Sequence, residues 1–176
     1  IRQIRRAWCA SLWNAVEKEN IVEKDIIHEN SNNHNKYINN ENSGEKSAEQ
    51  AGAVLRAMTV DDISAVKQIE QTCFSDAWSE KLLSDLLESE WDEAWVLTDT
   101  DGTRIGYANF RFLAGEGELM RIAVLPEHRG CGESKKLMDR LEISAKEKEA
   151  PDLTLEVRAG NTPAINLYKS YGFQAE

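Results

Sequence analysis

"RIAVLPEHRGCGESKKLM", residues 121–138, reads as a strand that runs into a proline, a turn with glycines at 130 and 132, and the opening of a helix. Met120, Ile122 and Val124 alternate with Arg121 and Ala123, which is strand periodicity. Leu137, Met138, Leu141 and Ala145 then follow at helical spacing. Gly130 and Gly132 let the backbone approach a ligand closely. The unpaired N–H groups of a helix's first turn favour an anion. Alone, the stretch fits a plain turn better than a phosphate cradle, since Gly-x-Gly before a helix is common, and its neighbours must decide.

Working outward, alternating elements begin at Val54. "VLRAM" (54–58) is a short strand, and Thr59 opens a helix to Phe74 with Asp61 and Asp62 in its first turn and Ile63, Val66, Cys73 and Phe74 inward. "WSEKLLSDLLESE" (78–90) is a second helix. Three strands follow, "AWVLTD" (94–99), "RIGYANFRFLA" (104–114) and "GELMRIAVLP" (117–126), separated by turn residues. A helix from Gly132 to Lys148, the strand "LTLEVR" (153–158) and a helix from "NTPA" (161–164) to Gly172 complete the order β-α-α-β-β-β-α-β-α. Antiparallel hairpins followed by a β-α-β crossover predict an α/β fold, a mixed and mostly antiparallel sheet with helices on both faces.

The N-terminal part has a different texture. Ile1, Ile4, Trp8, Leu12 and Val16 have helical spacing, which predicts a short amphipathic helix over 1–16. Eight asparagines fall between Asn20 and Asn42, and 17–53 reads as a disordered Asn/Glu-rich linker before a domain at 54–176. Such a basic helix fits a membrane-surface contact and equally a terminal helix left from a fused upstream domain. Residues 1–53 carry net charge −1 and residues 54–176 carry −9, so the acid belongs to the domain. An acidic domain argues against nucleic acid and suits a basic partner. No apolar run approaches the ~18 residues of a membrane span. The three cysteines, Cys9, Cys73 and Cys131, are scattered, and with His28, His34 and His128 dispersed no metal cluster is expected. That cysteine usage favours the cytoplasm.

Three motifs occur together in this order: "IEQTCFSDAWSEKLL" (69–83), "RIAVLPEHRGCG" (121–132) and "LEVRAGNTPAINLYKSYGF" (155–173). With them the region from Val54 to Glu176 resembles the GCN5-related N-acetyltransferase (GNAT) family, and within it the RimI-type N-terminal alanine acetyltransferases of ribosomal proteins. The resemblance implies acetyl-CoA as cosubstrate, bound where the 119–125 strand splays from the 153–158 strand, and a basic peptide or ribosomal protein N-terminus as acceptor. It implies pantetheine contacts from the backbone of Ile122, Ala123 and Val124, and a pyrophosphate cradle at Arg129, Gly130, Cys131, Gly132, Glu133, Ser134 and Lys135.

The remaining roles follow the same resemblance. Glu156, on the polar face of "LTLEVR", corresponds to the general base, and Tyr168 to the acid that meets the departing thiolate. Asn161 reads equally as a cofactor contact or a helix cap, and Trp78 as part of the peptide groove or a core anchor. Two departures stand out. Glu133 and Ser134 occupy positions where the family has an apolar residue and a small one, and "YGFQAE" ends where its last two strands would begin. Those strands are expected to be missing, leaving a bare sheet edge. Two further readings stay open: an acetyltransferase for a small amine, and a non-catalytic remnant.

Overall fold

Residues with strand alternation from Val54 onward do pair into one sheet, and it gains a strand from the other end of the chain. The structure, a computed structural model, describes residues 1–7 and 52–175. The strands are β1 (Arg2–Ala7), β2 (Val54–Ala57), β3 (Asp92–Thr98), β4 (Arg104–Leu113), β5 (Glu116–Val124), β6 (Asp152–Val157) and β7 (Gln174–Ala175). The helices are α1 (Ile63–Cys73), α2 (Glu80–Glu88), α3 (Glu133–Glu147) and α4 (Thr162–Ser170). The strand order is β2-β3-β4-β5-β6-β1-β7, with β5 and β6 the one parallel pair among the described residues. From Val54 to Gly172 the element order agrees with the sequence reading.

Each sheet face is covered because its inward side chains are apolar. Val66, Ile69, Leu83 and Leu86 of α1 and α2 pack on Val96, Tyr107 and Ala123. Leu137, Met138, Leu141 and Ala145 of α3 pack on the other face with Phe110, Leu119, Leu153 and Leu155. The two-residue alternation of β4 therefore hides inside a continuous buried run from Ile105 to Phe110. Ser79 caps α2, its Oγ accepting from the Leu82 N–H at 3.2 Å.

The segment expected to begin an amphipathic helix over 1–16 is a strand over Arg2–Ala7; residues 8–16, and 17–51 of the expected linker, lie outside the described residues. Over seven residues a helical stripe and a strand face share Ile4, so the local pattern cannot separate them. The tertiary context decides. Beyond β5, β6 offers an open edge of N–H and C=O groups, and β1 pairs with it antiparallel from Arg2↔Val157 to Ala7↔Asp152. Ile4, 5% exposed, joins the core opposite Leu155. β7 then adds on the outer side of β1 through Ile4↔Ala175 and Arg5↔Gln174. The bare edge expected beside β6 is thus covered, and residues 1–7 belong to the same compact unit as the chain from Ala51 onward.

A buried carboxylate ties β2 to the sheet. Asp62, fully buried, accepts from Arg56 through both oxygens at 2.7 Å, from Arg104 Nε at 2.8 Å and from the Thr59 N–H at 2.9 Å. The hydrogen bond from Arg56, more than offsetting burial, holds its carboxyl far below the usual carboxylate range.

Ile4→Ala should cost about 2–4 kcal/mol in urea unfolding, as a core truncation does; a frayed N-terminal helix would make it nearly neutral. Asp62 stays ionised in the folded chain where the unfolded chain takes up a proton. Its contribution is therefore whole above the ordinary value of 3.8 and is lost as pH falls below it. Between pH 6 and pH 2.5 the native chain should lose on the order of 2 kcal/mol more stability than Asp62→Asn. Parallel acid profiles for the two would contradict this.

Candidate active site

β5 and β6 pair only over Glu116–Leu119 and Asp152–Leu155, and beyond that they separate. The cause is local. Asn109 faces Arg121 while Phe110 faces Leu119, so Met120 is the extra residue of a bulge that bends β5 away from β6. The gap is a cavity of about 320 Å³. Ile122, Glu156, Asn161 and Tyr168 line it, together with Phe74 and Asp76 of the α1–α2 loop, Arg158 and Ile1.

The two residues assigned acid–base roles meet there from different elements. Alternation along β6 buries Leu153, Leu155 and Val157 and leaves Glu156 exposed at the open end. Tyr168 stands on α4 with its ring in the core, edge-on to Phe173 at 6.2 Å between centroids. Burial pushes its phenol up to about 12, so it is protonated at neutral pH. No hydrogen bond engages its hydroxyl among the described residues, and Tyr168 lines the cavity. Asn161 caps α4, its side chain accepting from the Ala164 N–H at 3.3 Å, and it lines the cavity.

The loop over the cavity is held by a network absent from the sequence reading. Glu70 of α1, fully buried, accepts from Arg121 Nε at 3.1 Å, Arg121 Nη2 at 2.9 Å, the Trp78 N–H at 2.7 Å and the Tyr107 hydroxyl. Burial acts to lower the Arg121 guanidinium, but the hydrogen bond and charge of Glu70 outweigh it and raise it. Burial, aided by Glu70, also drives the Tyr107 phenol far above its ordinary value. Arg121 lies between the rings of Phe74 and Trp78, 3.9 and 4.7 Å from their centroids, and donates to the Asp76 carbonyl at 2.7 Å. Trp78 is thus an anchor on Arg121 and is not among the cavity-lining residues. Arg158 holds the same loop, donating to Ser75 Oγ at 3.1 Å and Asp76 Oδ1 at 3.4 Å. Glu70 was legible in part: it sits seven residues after Ile63 on the inward side of α1, where a carboxylate needs a cation.

At the turn, Gly130 and Gly132 have φ of 81° and 89°, and a Cβ at either would meet nothing within 4 Å. This open backbone before α3 fits a pyrophosphate held by the N–H groups of Gly130 to Ser134, while the Lys135 N–H is taken by the Gly132 carbonyl at 2.9 Å. Gly132 caps the helix. Cys131 is exposed, as is Lys135, and Ser134 is half-buried. Arg129 turns away from the cradle, its Nε donating to the Val124 carbonyl at 2.8 Å. Ile122, Ala123 and Val124 lie on β5 past the bulge, and Ile122 reaches the cavity. Glu133 folds inward, its Oε2 3.0 Å from Lys136 Nζ without hydrogen-bond angles. Lys136 in turn donates to the Ala53 carbonyl at 2.9 Å. The family's apolar position is thereby filled by a neutralised ion pair.

A cavity at the parting of β5 and β6 that holds Glu156 and Tyr168, and a glycine turn ahead of α3, are the features that the resemblance implied. The model of the acetyltransferase (GNAT) family matches residues 63–173, and the chain belongs to that family. It is 33% identical over 123 residues to a putative [ribosomal protein bS18]-alanine N-acetyltransferase of Bacillus subtilis, covering 69% of this chain and 81% of that one. The crystal structure of the Escherichia coli ribosomal-protein-S18-alanine N-acetyltransferase superposes with a TM-score of 0.64 at 30% identity, covering 69% of this chain and 77% of that one. The fold is also that of a Thermoplasma acidophilum PaiA N-acetyltransferase in complex with coenzyme A, with a TM-score of 0.64 at 20% identity over 71% of this chain and 91% of that one. The chain is an acetyl-CoA-dependent N-acetyltransferase.

Glu70→Gln should cost about 3–5 kcal/mol, because it leaves the Arg121 guanidinium buried without its counter-charge. Denaturant unfolding checks this, and a loss below 1 kcal/mol would mean that Asp76 and the two rings suffice.

Proposed function

We propose that the chain acetylates the α-amine of an N-terminal alanine on a ribosomal protein of the bS18 type, in the cytoplasm. The observation that carries the reading is Glu156 and Tyr168 meeting in the cavity between β5 and β6. The names of the relatives support the acceptor. A chain of net charge −10 also suits a basic ribosomal peptide.

The chemistry follows from the residues. Bound acetyl-CoA supplies a thioester, an acetyl group with a good leaving sulfur. An α-amine, with a reference pKa near ~8, is largely protonated at neutral pH and cannot attack until a base takes its proton. Glu156, exposed in the cavity, takes that proton, directly or through water. The amine nitrogen then bonds to the acetyl carbon as the carbon–sulfur bond breaks. Tyr168, protonated at this pH, offers its hydroxyl to the departing sulfur. The backbone past the Met120 bulge and the 130–135 turn hold the carrier.

A route through an acetylated cysteine fits poorly. Cys73 lines the cavity, but burial pushes its thiol up, and the nearby Arg129 offsets this only in part. A protonated thiol is a weak nucleophile at neutral pH. Cys131 is exposed and absent from the cavity lining.

Glu156→Gln should lower turnover of an alanine-initiated basic peptide ~10²–10⁴-fold with acetyl-CoA affinity nearly unchanged. Mass spectrometry of the peptide and calorimetric titration of the cosubstrate check the two halves. Tyr168→Phe should slow the chemical step as well. Undiminished turnover by Glu156→Gln from pH 6 to pH 9 would remove Glu156 from the mechanism.

A further inference from the structure

The base has a neighbour contributed by the opposite end of the chain. In the β1–β6 pair Gln3 stands directly across from Glu156, and directly opposed residues project from the same face of the sheet. Ile4, the next residue, points the other way into the core. Ile1, two residues before Gln3, lines the cavity with Glu156 and Tyr168. Ile1 therefore borders the place where an acceptor must lie, and Gln3 stands on the same strand face, beside Glu156.

The polar side chains on this face divide into two groups. Arg5 pairs with Glu116 and Asp152, Thr154 donates to the Gly117 carbonyl, and Arg158 holds Ser75 and Asp76. Glu156 and Gln3 are adjacent, exposed, and engaged by no side-chain bond among the described residues. An amine that gives its proton to Glu156 brings its first peptide unit within a few ångströms of the carboxylate. Opposed Cβ atoms in an antiparallel pair are about 5 Å apart, so the Gln3 carboxamide reaches that unit. A carboxamide offers both a donor and an acceptor, the complement of a peptide group.

We infer that Gln3 is a specificity-determining residue that holds the first peptide unit of the acceptor beside Glu156. The inference rests on the N-terminal acetyltransferase reading above. An amine without that peptide unit gains nothing from Gln3, so the residue selects chain ends over small amines.

The test is steady-state kinetics of the full chain and of Gln3→Leu with two acceptors, an alanine-initiated basic hexapeptide and alaninol, which has the amine but no peptide group. Gln3→Leu should raise the peptide KM about five- to tenfold, the scale of one or two lost hydrogen bonds. It should change kcat at saturating peptide less than twofold and leave the KM for acetyl-CoA and the activity toward alaninol unchanged. An unaltered peptide KM, or an equal loss toward both acceptors, overturns the inference and leaves the acetyltransferase reading standing. No transfer to the peptide by the native chain overturns both. If leucine lowers the melting midpoint, Gln3→Thr, a residue suited to strands, is read by the same split of KM against kcat.

Discussion

A buried carboxylate is tolerable only when its lone pairs are filled and its charge is met, and Glu70 satisfies both through Arg121, Tyr107 and the Trp78 N–H. Those partners come from β5, β4 and the α1–α2 loop, so one side chain fixes three pieces of the molecule against each other. The consequence is felt in the cavity. Phe74 and Asp76, which line it, are held by the same Arg121 that Glu70 neutralises. A loop placed this way presents a fixed wall to the cavity.

The opening itself comes from backbone geometry. The extra residue at Met120 turns β5 away from β6, which frees strand-edge groups for a ligand and gives Glu156 and Tyr168 a common space. The charges nearby are mostly committed to structure: Arg129 to the Val124 carbonyl, Arg158 to the loop, Lys136 to Ala53 and Glu133. Glu156, by contrast, is exposed and carries no side-chain bond among the described residues.

Beyond β6, the sheet depends on a strand that a linear reading places in another domain. β1 meets the free edge of β6, buries Ile4, and carries β7 on its outer side. An N-terminal segment thereby becomes a structural part of the acetyltransferase domain and sets Gln3 beside Glu156.

Alternation in "LTLEVR", the glycines at 130 and 132, and the apolar stripes of α1 to α4 reflect local sterics and periodicity, so the sequence by itself determined the elements from Val54 to Gly172 and the face on which Glu156 lies. It also carried the motifs that point to the family. Pairings between distant residues have no local signature. Seven residues around Ile4 fit a helix or a strand until an unpaired edge asks for hydrogen bonds, and Glu70 is an ordinary helix glutamate until Arg121 arrives from 51 residues away. The tertiary structure alone decided that Arg129 turns from the cradle, that Trp78 packs on Arg121, and that Gln3 stands across from Glu156, because each depends on which buried or edge groups were left unsatisfied once the chain had closed.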